Sequence, residues 1–184
     1  MPKIPPQATR VFKGIIFDIY QWEQEMFDGS KRTFELAKRP NTIVVIPIVG
    51  NKVLYSKQVQ PSKPPFMGLF GGRADEGDIS PLETAKREFR EETGMEAEDW
   101  TALWTFNDTA KVDWSVHYFL AKNCHKTGNQ ELDGGEKIDI YEATIDEFLT
   151  EIVPNENFKE YELRQMVLSG LNIDKINELK ALLS

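Results

Sequence analysis

The segment from Thr42 to Val49, TIVVIPIV, restricts the possible folds more than any other part of the sequence. Its β-branched residues form a continuous run, which indicates a strand that is buried on both faces. Other elements must then cover this strand on either side. Further strands are predicted at 53–59, 100–106, 114–121 and 138–143, and helices at 81–92, from Thr144 onward and within 157–183. The pattern predicts an α+β protein, with a mixed sheet that carries helices on its faces.

A separate pair of strands is predicted near the N-terminus. Alternating residues from Val11 to Trp22 indicate one strand, and the alternation resumes from Lys31 to Ala37 after the turn residues Asp28-Gly29-Ser30. These residues are expected to form a small antiparallel hairpin. We therefore expect three units: an N-terminal β-hairpin subdomain at 1–39, a central domain at 40–152 and a C-terminal helical appendage at 153–184.

The net charge argues against two classes of partner. The chain has 30 acidic and 22 basic residues, which gives a formal net charge of -8. A protein with this balance lacks a broad basic surface, so we expect no nucleic-acid partner and no binding to an anionic membrane. An anionic substrate would need a mediator other than side-chain charge. Ten acids and four bases lie between Arg73 and Asp99, so most of the excess is local.

The cellular location is predicted from the cysteine content and from targeting patterns. Cys124 is the only cysteine, so the chain cannot form an internal disulfide, and it suits a reducing compartment. The N-terminal segment MPKIPPQATR lacks the apolar run of a signal peptide. The most apolar segment is far shorter than the roughly 20 residues of a membrane span. We expect a cytoplasmic protein.

The helix predicted at 81–92 is delimited at both ends by local signals. Ser80 can cap its first turn, and Pro81 suits the first helical position, where a missing N–H costs nothing. Gly94 supplies a left-handed stop at the other end. The helix and its limits are therefore predicted from residues inside the segment.

Three carboxylates lie close together on this helix. Glu88, Glu91 and Glu92 fall within an arc of about 100° on a helical wheel, where like charges repel. Hard divalent cations such as Mg²⁺ require oxygen ligands and would reverse the sign of that repulsion, so the cluster predicts a metal site; the alternative is a solvated helix face. Arg87 precedes Glu91 by four residues and can orient its carboxylate. Gly71 and Gly72 would let the backbone approach a ligand closely.

The segment from Arg87 to Met95, REFREETGM, resembles the core of the Nudix box. In that box Arg-Glu, a bulky apolar residue, any residue, Glu-Glu, any residue, Gly and an apolar residue follow in order, and Gly72 resembles its opening glycine. Two departures are present. Asp78 stands where the box has Glu, and eight residues instead of seven separate it from Arg87. Both departures affect the loop that precedes the helix. The three glutamates keep the spacing that the Nudix box requires.

The resemblance implies a fold and a metal-dependent chemistry. The fold would be an α/β/α sandwich around a mixed sheet. Glu88, Glu91, Glu92 and the carbonyl of Gly71 would be ligands of two or three Mg²⁺ or Mn²⁺ ions. The reaction would be hydrolysis of a phosphoanhydride linked to a nucleoside, with Glu91 and the Arg87 that orients it among the catalytic residues.

A general base must also accept a proton from the attacking water. Some relatives of this kind use a glutamate of the box and others a carboxylate on a remote loop. Glu136 is the candidate here, because it lies on the glycine-containing loop Asp133-Gly134-Gly135-Glu136 just before a predicted strand. The alternative is that Glu136 is a solvated loop acid.

The N-terminal hairpin is similar to that of the branch that hydrolyses ADP-ribose and nucleotide sugars, in which the hairpin often exchanges between the subunits of a homodimer. By this resemblance Arg39 and Arg73 would contact phosphate or the terminal ribose, and Trp22 or Phe27 would stack on the base. The expected substrate is ADP-ribose, cleaved to AMP and ribose 5-phosphate, or a related nucleotide sugar.

Two alternatives stay open at the level of sequence. One is a Nudix hydrolase of nucleoside triphosphates or dinucleotide polyphosphates, although such compact hydrolases usually lack an N-terminal hairpin. The other is a regulatory module that binds a nucleotide without turnover. The intact set of Glu88, Glu91 and Glu92 argues against that module, because a non-catalytic relative has no need of three mutually repulsive carboxylates.

Overall fold

The structure is a computed structural model that describes residues 3–61, 63–107, 111–169 and 173–183, apart from the side chains of 173–176. Within these ranges the strands are β1 (Thr9–Lys13), β2 (Asp18–Glu25), β3 (Lys31–Lys38), β4 (Thr42–Val49), β5 (Lys52–Val59), β6 (Phe66–Gly68), β7 (Met95–Asn107), β8 (Val112–Asp113), β9 (Ser115–Lys126) and β10 (Lys137–Thr144). The helices are α1 (Pro81–Thr93), α2 (Ile145–Glu147), a π-helical turn (Phe148–Ile152), α3 (Tyr161–Ser169) and α4 (Ile173–Leu183).

The central sheet has the strand order β10-β5-β4-β9-β7, and β6 pairs with β5. β4 runs parallel to β9, with Thr42 opposite Val116 and Pro47 opposite Ala121. The other pairs are antiparallel. The sheet is therefore mixed, and the predicted strand at 42–49 lies at its centre.

Helices cover both faces of this sheet. Ile43 and Val45 of β4 lie on the face that packs against Phe89 of α1. Val44 lies on the opposite face, in a cluster that includes Leu163 of α3 and the buried side chains of the π-helical turn and α4. β4 is buried on both faces for this reason, and the predicted α/β/α sandwich is confirmed.

The N-terminal segment forms a second sheet, with the order β1-β2-β3-β8. The prediction of one strand from Val11 to Trp22 is wrong, because the chain turns between Gly14 and Phe17 and makes two antiparallel strands of it. Gly14 N–H donates to the Phe17 carbonyl at 3.0 Å, and a Cβ on Gly14 would collide with that oxygen. The predicted hairpin of β2 and β3 is present, but it is part of a larger sheet.

Three further boundaries differ from the prediction. β7 begins at Met95, well before the predicted Trp100, and β9 continues to Lys126, into a segment predicted to be a loop. The added parts pair with each other, Asp99 opposite Lys122 and Glu96 opposite His125, so cross-strand partners stabilise these largely polar segments. β6 was not predicted, because its three residues follow a proline-rich loop.

The helix ends agree closely with the predicted signals. The Ser80 hydroxyl accepts a hydrogen bond from Glu83 N–H at 3.2 Å, and Gly94 adopts the left-handed conformation with φ of 64°. Thr144 and Glu147 form a capping box at the start of α2, where a helix was predicted to begin. The predicted break at Gly170 lies outside the described residues. None of the helices described is long and apolar enough to span a membrane.

Candidate active site

A cavity of about 610 Å³ opens between α1, the segment that follows β6, and the loop that precedes β10. Acidic and basic side chains both line it. The acids are Asp75, Glu88, Glu91, Glu92, Glu131, Asp133 and Glu136, and the bases are Arg39, Lys63, Arg73 and Arg87. The structure thus brings together the glutamates of α1, the loop acid Glu136 and both arginines that were predicted to bind substrate.

Gly71 and Gly72 join the sheet to the glutamates of α1. Their segment runs antiparallel to β4, where Ile43 N–H donates to the Gly72 carbonyl at 2.8 Å. Gly71 has a φ of 129°, and a Cβ there would collide with the Ile43 carbonyl. A Cβ on Gly72 would lie 2.6 Å from the Glu88 carboxylate. These contacts within the protein require glycine at both positions, whereas the predicted approach of the backbone to a ligand and a metal-ligand role for the Gly71 carbonyl stay predictions.

Glu92 is the most deeply buried carboxylate of the cavity, with 7% of its surface exposed. Its Oε2 accepts a hydrogen bond from Gly71 N–H at 2.6 Å. Burial raises the pKa of Glu92 to about 8, and the charges of Glu88 and Glu136 act in the same direction, against the opposing hydrogen bond. Burial also raises the pKa of Glu88, to about 6. Burial therefore disfavours the charged forms of both carboxylates, and a bound cation would stabilise those charged forms.

Arg87 connects the entering loop to these carboxylates. Its Nη1 lies 2.9 Å from Glu88 Oε1 and 3.0 Å from Glu91 Oε2, so the predicted contact with Glu91 is present. On its other side, Nε and Nη2 donate to the two oxygens of Asp78 at 3.3 and 3.0 Å. Asp78 therefore holds the guanidinium in a bidentate pair.

Asp78 has a role that the sequence did not reveal. It also accepts hydrogen bonds from Thr84 Oγ1 at 2.8 Å and Asp75 N–H at 2.9 Å. The hydrogen bond from Arg87 is the main cause that lowers the pKa of Asp78 well below its usual range. Asp78 stands where the Nudix box has Glu. Its position in the box was the only feature of the sequence that pointed to a role for this residue.

Glu136 lies half-buried at the edge of the cavity. Its Oε1 accepts a hydrogen bond from Gln60 Nε2 at 3.2 Å, and its N–H donates to the Asp133 carbonyl at 2.9 Å. Glu136 is close enough to Glu92 for its charge to raise the pKa of Glu92. A carboxylate in this position faces the same space as the glutamates of α1.

Arg39 and Arg73 line this cavity and a neighbouring one of about 420 Å³. The Arg39 guanidinium lies 4.7 Å from the centre of the Trp114 ring and 5.7 Å from that of Phe17. Burial and the nearby charge of Arg73 lower the pKa of Arg39. Arg39 Nε is buried and has no hydrogen-bond partner among the described residues.

The two predicted stacking residues lie apart from both cavities within one chain. Trp22 packs against Phe34, with ring centres 6.0 Å apart, and Phe27 is fully exposed in the turn between β2 and β3. The structure instead lines the second cavity with Trp114, which the sequence placed at the start of a predicted strand, and with Lys63 and Glu160. Lys63 was missed because a lysine in a proline-rich loop carries no signal of its own.

The NUDIX domain model matches residues 38–163 of the chain. The chain belongs to the NUDIX family. A methanol dehydrogenase activator of Bacillus methanolicus is 30% identical over 147 residues, which cover 78% of this chain and 79% of that protein. An ADP-ribose pyrophosphatase of Bacillus subtilis is 28% identical over 144 residues, 76% of this chain and 77% of that protein. These matches confirm the predicted family and its enzyme class, the pyrophosphohydrolases.

The NUDIX fold is supported by a solved structure as well. The crystal structure of an ADP compounds hydrolase superposes with a TM-score of 0.69 and covers 91% of this chain and 92% of its own. The identity is 20%, so the likeness concerns the fold alone.

NUDIX hydrolases generally use a divalent metal, and the donor set of this cavity suits one. Glu88, Glu91 and Glu92 offer only hard oxygen ligands, and the raised pKa of Glu92 reflects charge that a cation would stabilise. Among the described residues no three acidic, histidine or cysteine side chains already converge on a metal position. Glu88 and Glu91 instead both contact Arg87. Arg87 contacts one oxygen of each, Glu88 Oε1 and Glu91 Oε2, which leaves the second oxygen of each carboxylate for a metal.

The Asp78–Arg87 pair leads to a prediction about stability and pH. Because the folded protein lowers the pKa of Asp78, the pair stabilises the fold above the unfolded pKa of about 3.9 and loses this effect as the pH falls. We expect Asp78→Asn to reduce the free energy of unfolding by about 1 to 3 kcal/mol at pH 7. The difference from wild type should shrink at pH 3.

Urea unfolding followed by tryptophan fluorescence measures this difference at both pH values. Asp139→Asn is the control, because Asp139 is an exposed residue of β10. An Asp78→Asn effect of equal size at pH 7 and pH 3 would show that the ion pair is not its source.

Proposed function

We propose that this NUDIX protein hydrolyses ADP-ribose to AMP and ribose 5-phosphate with bound Mg²⁺. One observation carries the proposal: seven acids and four bases line a single cavity, in which the buried Glu92 is hydrogen-bonded to Gly71. This arrangement suits a diphosphate that is held by cations on one side and by arginines on the other. The name of the Bacillus subtilis relative, an ADP-ribose pyrophosphatase, supports the choice of substrate.

The metal would be held by Glu88, Glu91 and Glu92, with the Gly71 carbonyl as a further ligand, and we propose two to three ions, Mg²⁺ or Mn²⁺. When bound, such ions neutralise the diphosphate and lower the pKa of a coordinated water. The residues of the chain supply the remaining functions. Arg87 orients Glu91 through the contact at 3.0 Å, and Asp78 fixes Arg87.

Arg39 and Arg73 would bind the phosphates from the other wall. Glu136 would accept the proton as the oxygen of water attacks phosphorus and the anhydride P–O bond breaks. Glu136 is the better candidate for this base than Glu91, because Glu91 is already paired with Arg87. The neighbouring cavity beside Trp114 and Arg39 offers an aromatic and a cationic surface, which suit the nucleoside.

We also propose that the N-terminal unit, residues 1–39, mediates a homodimer. Large apolar side chains of β1 and the turn after it are exposed, among them Phe12 at 58% and Ile15 at 95%. Ile16, in the same turn, lines the main cavity. An exchanged N-terminal sheet would cover this apolar surface and could carry Trp22 or Phe27 of one subunit to the cavity of the other.

We place the protein in the cytoplasm. Its one cysteine, Cys124, is buried and unpaired, and burial raises the pKa of the thiol to about 11. Such a thiol is a packing residue that suits a reducing environment.

The proposed activity is tested with a panel of ADP-ribose, other nucleotide sugars, dinucleotides and nucleoside triphosphates, each with and without Mg²⁺. We expect ADP-ribose to be cleaved fastest and only with the metal. Glu92→Gln should reduce turnover of ADP-ribose at least about 100-fold, because it removes a charged metal ligand at the buried end of the site.

Glu98→Gln is the matched control, since Glu98 is an exposed acid of β7 outside both cavities. Its activity should equal that of wild type. Faster cleavage of a triphosphate than of ADP-ribose would favour the triphosphate hydrolase, and no turnover of any substrate would favour a regulatory module. Near-normal Mg²⁺-dependent activity of Glu92→Gln would exclude the assigned metal ligand.

Glu136→Gln tests the general base. We expect kcat to fall about 100-fold or more while KM changes little, because a base acts in the transition state and not in substrate binding. Glu131→Gln is the control, as Glu131 lines the same cavity. A rise in KM with normal kcat would instead make Glu136 a binding residue.

The homodimer is tested by light scattering after gel filtration. We expect the wild-type protein to have twice the chain mass of 21.1 kDa, and Ile15→Asp to shift toward the single-chain value. Ile79→Asp alters an equally exposed isoleucine, 92% exposed before α1, and should leave the mass unchanged. A wild-type mass of one chain would contradict the proposal.

A further inference from the structure

A line of polar side chains occupies one face of β5, where the adjoining residue Leu54 is part of the core beneath α1. Ser56 and Gln58 are almost fully buried, with 0% and 2% of their surfaces exposed. Ser56 Oγ donates to the Gly68 carbonyl at 2.9 Å, and Gln58 Nε2 donates to Ser56 Oγ at 2.9 Å. Buried polar groups are costly unless they are hydrogen-bonded, and these two satisfy each other.

Gln60 continues this line beyond the end of β5. It lies half-buried, and its Nε2 is 3.5 Å from Gln58 Oε1. On the neighbouring strand, Lys137 pairs with Val59 in antiparallel register. The residues just beyond this pair are Gln60, which follows β5, and Glu136, which precedes β10. They therefore lie opposite one another.

The Gln60 amide is held at both of its ends. Lys63 Nζ donates to Gln60 Oε1 at 3.0 Å, and Gln60 Nε2 donates to Glu136 Oε1 at 3.2 Å. The ammonium of Lys63 fixes the amide oxygen on its side, so the amide N–H groups point toward the carboxylate. A positive charge behind the amide also strengthens its donation to the negative oxygen.

The Glu136 side chain depends on contacts from outside its loop, because the two glycines before it do little to restrict its position. Gly134 and Gly135 precede it, and Gly134 has open space around its Cα. Pro61 lies against Gly135, where a Cβ would be 3.5 Å from the proline ring. The Gln60 side chain and Pro61 thus hold the loop from the β5 side. Gln60 is not among the residues that line either cavity, so it touches Glu136 from outside the substrate space.

We propose that Gln60 is a positioning residue that holds the Glu136 carboxylate in its catalytic orientation, which rests on the proposed role of Glu136 as general base. Lys63 orients the amide, and the buried pair of Gln58 and Ser56 anchors it to the sheet. A base must lie within hydrogen-bond reach of the water it deprotonates, so a carboxylate free to turn on a glycine loop would be less effective.

The test uses steady-state hydrolysis of ADP-ribose with Mg²⁺. Gln60→Leu removes the amide, and Gln60→Glu keeps its shape but places a negative charge beside the Glu136 carboxylate. We expect kcat to fall about 10-fold in Gln60→Leu and at least as far in Gln60→Glu, with KM within about twofold of wild type. Thermal unfolding should show that both variants are folded.

Gln21→Leu is the matched control. Gln21 of β2 also donates to a glutamate directly opposite it, Glu35, at 2.8 Å, but on the N-terminal sheet and outside both cavities. Loss of this pair should leave kcat unchanged. A rise in KM in Gln60→Leu with normal kcat would overturn the proposal, because it would mean that Gln60 contacts substrate. Normal kcat in Gln60→Glu would overturn it as well.

A double-mutant cycle separates this inference from the proposed function. If Gln60 acts through Glu136, Gln60→Leu should reduce kcat in the wild-type background and have no further effect in Glu136→Gln. Full additivity of the two effects would overturn the positioning role while leaving Glu136 as the base. Normal kcat in Glu136→Gln alone would instead contradict the proposed base.

Discussion

The hydrogen bond from Gly71 N–H to the buried Glu92 carboxylate links the sheet to α1, and the geometry of the cavity depends on it. The donor is fixed because its segment pairs with β4, whose residue Ile43 is fully buried at the centre of the sheet. Only glycine fits this close approach, since a Cβ on Gly71 would collide with the Ile43 carbonyl. The bond therefore sets how near the carboxylates of α1 lie to the sheet. Gly72 allows a second close approach, because the Glu88 carboxylate occupies the space that a Cβ on Gly72 would fill.

Arg87 complements this buried contact at the exposed side of α1. Its guanidinium lies between Asp78 on the entering loop and the carboxylates of Glu88 and Glu91. One cation thus balances part of the repulsion within the cluster when no metal is bound. Arg87 contacts one oxygen of each of these two carboxylates, so a divalent cation would bind their other oxygens while Asp78 holds the guanidinium in place. The aspartate that departs from the Nudix pattern is therefore able to perform a structural task, despite its shorter side chain.

The sequence predicted those parts whose determinants are local. The caps at Ser80 and Gly94 lie within a few residues of the helix they limit, and the buried strand at 42–49 is evident from its own composition. Contacts between segments distant in sequence could not be predicted, because the local sequence pattern does not specify which strands pair. The alternation from Val11 to Trp22 continues through the turn at Gly14, so the break is visible only once two strands pair. Gln60 and Glu136 likewise become neighbours only through the register of β5 and β10.

The charged residues of the cavity explain how a chain with an excess of acidic residues could bind an anionic substrate. A net charge of -8 excludes a broad basic surface, yet the bases that line the cavity are concentrated where a diphosphate would need them. Arg39 is partly buried beside the rings of Trp114 and Phe17, so its charge acts at short range in a poorly screened environment. The acids of α1 occupy the other wall and can attract divalent cations. Bases and acids in one cavity would let an acidic protein bind an anion, because the ligand would contact Arg39 and Arg73 directly and the carboxylates of α1 only through metal.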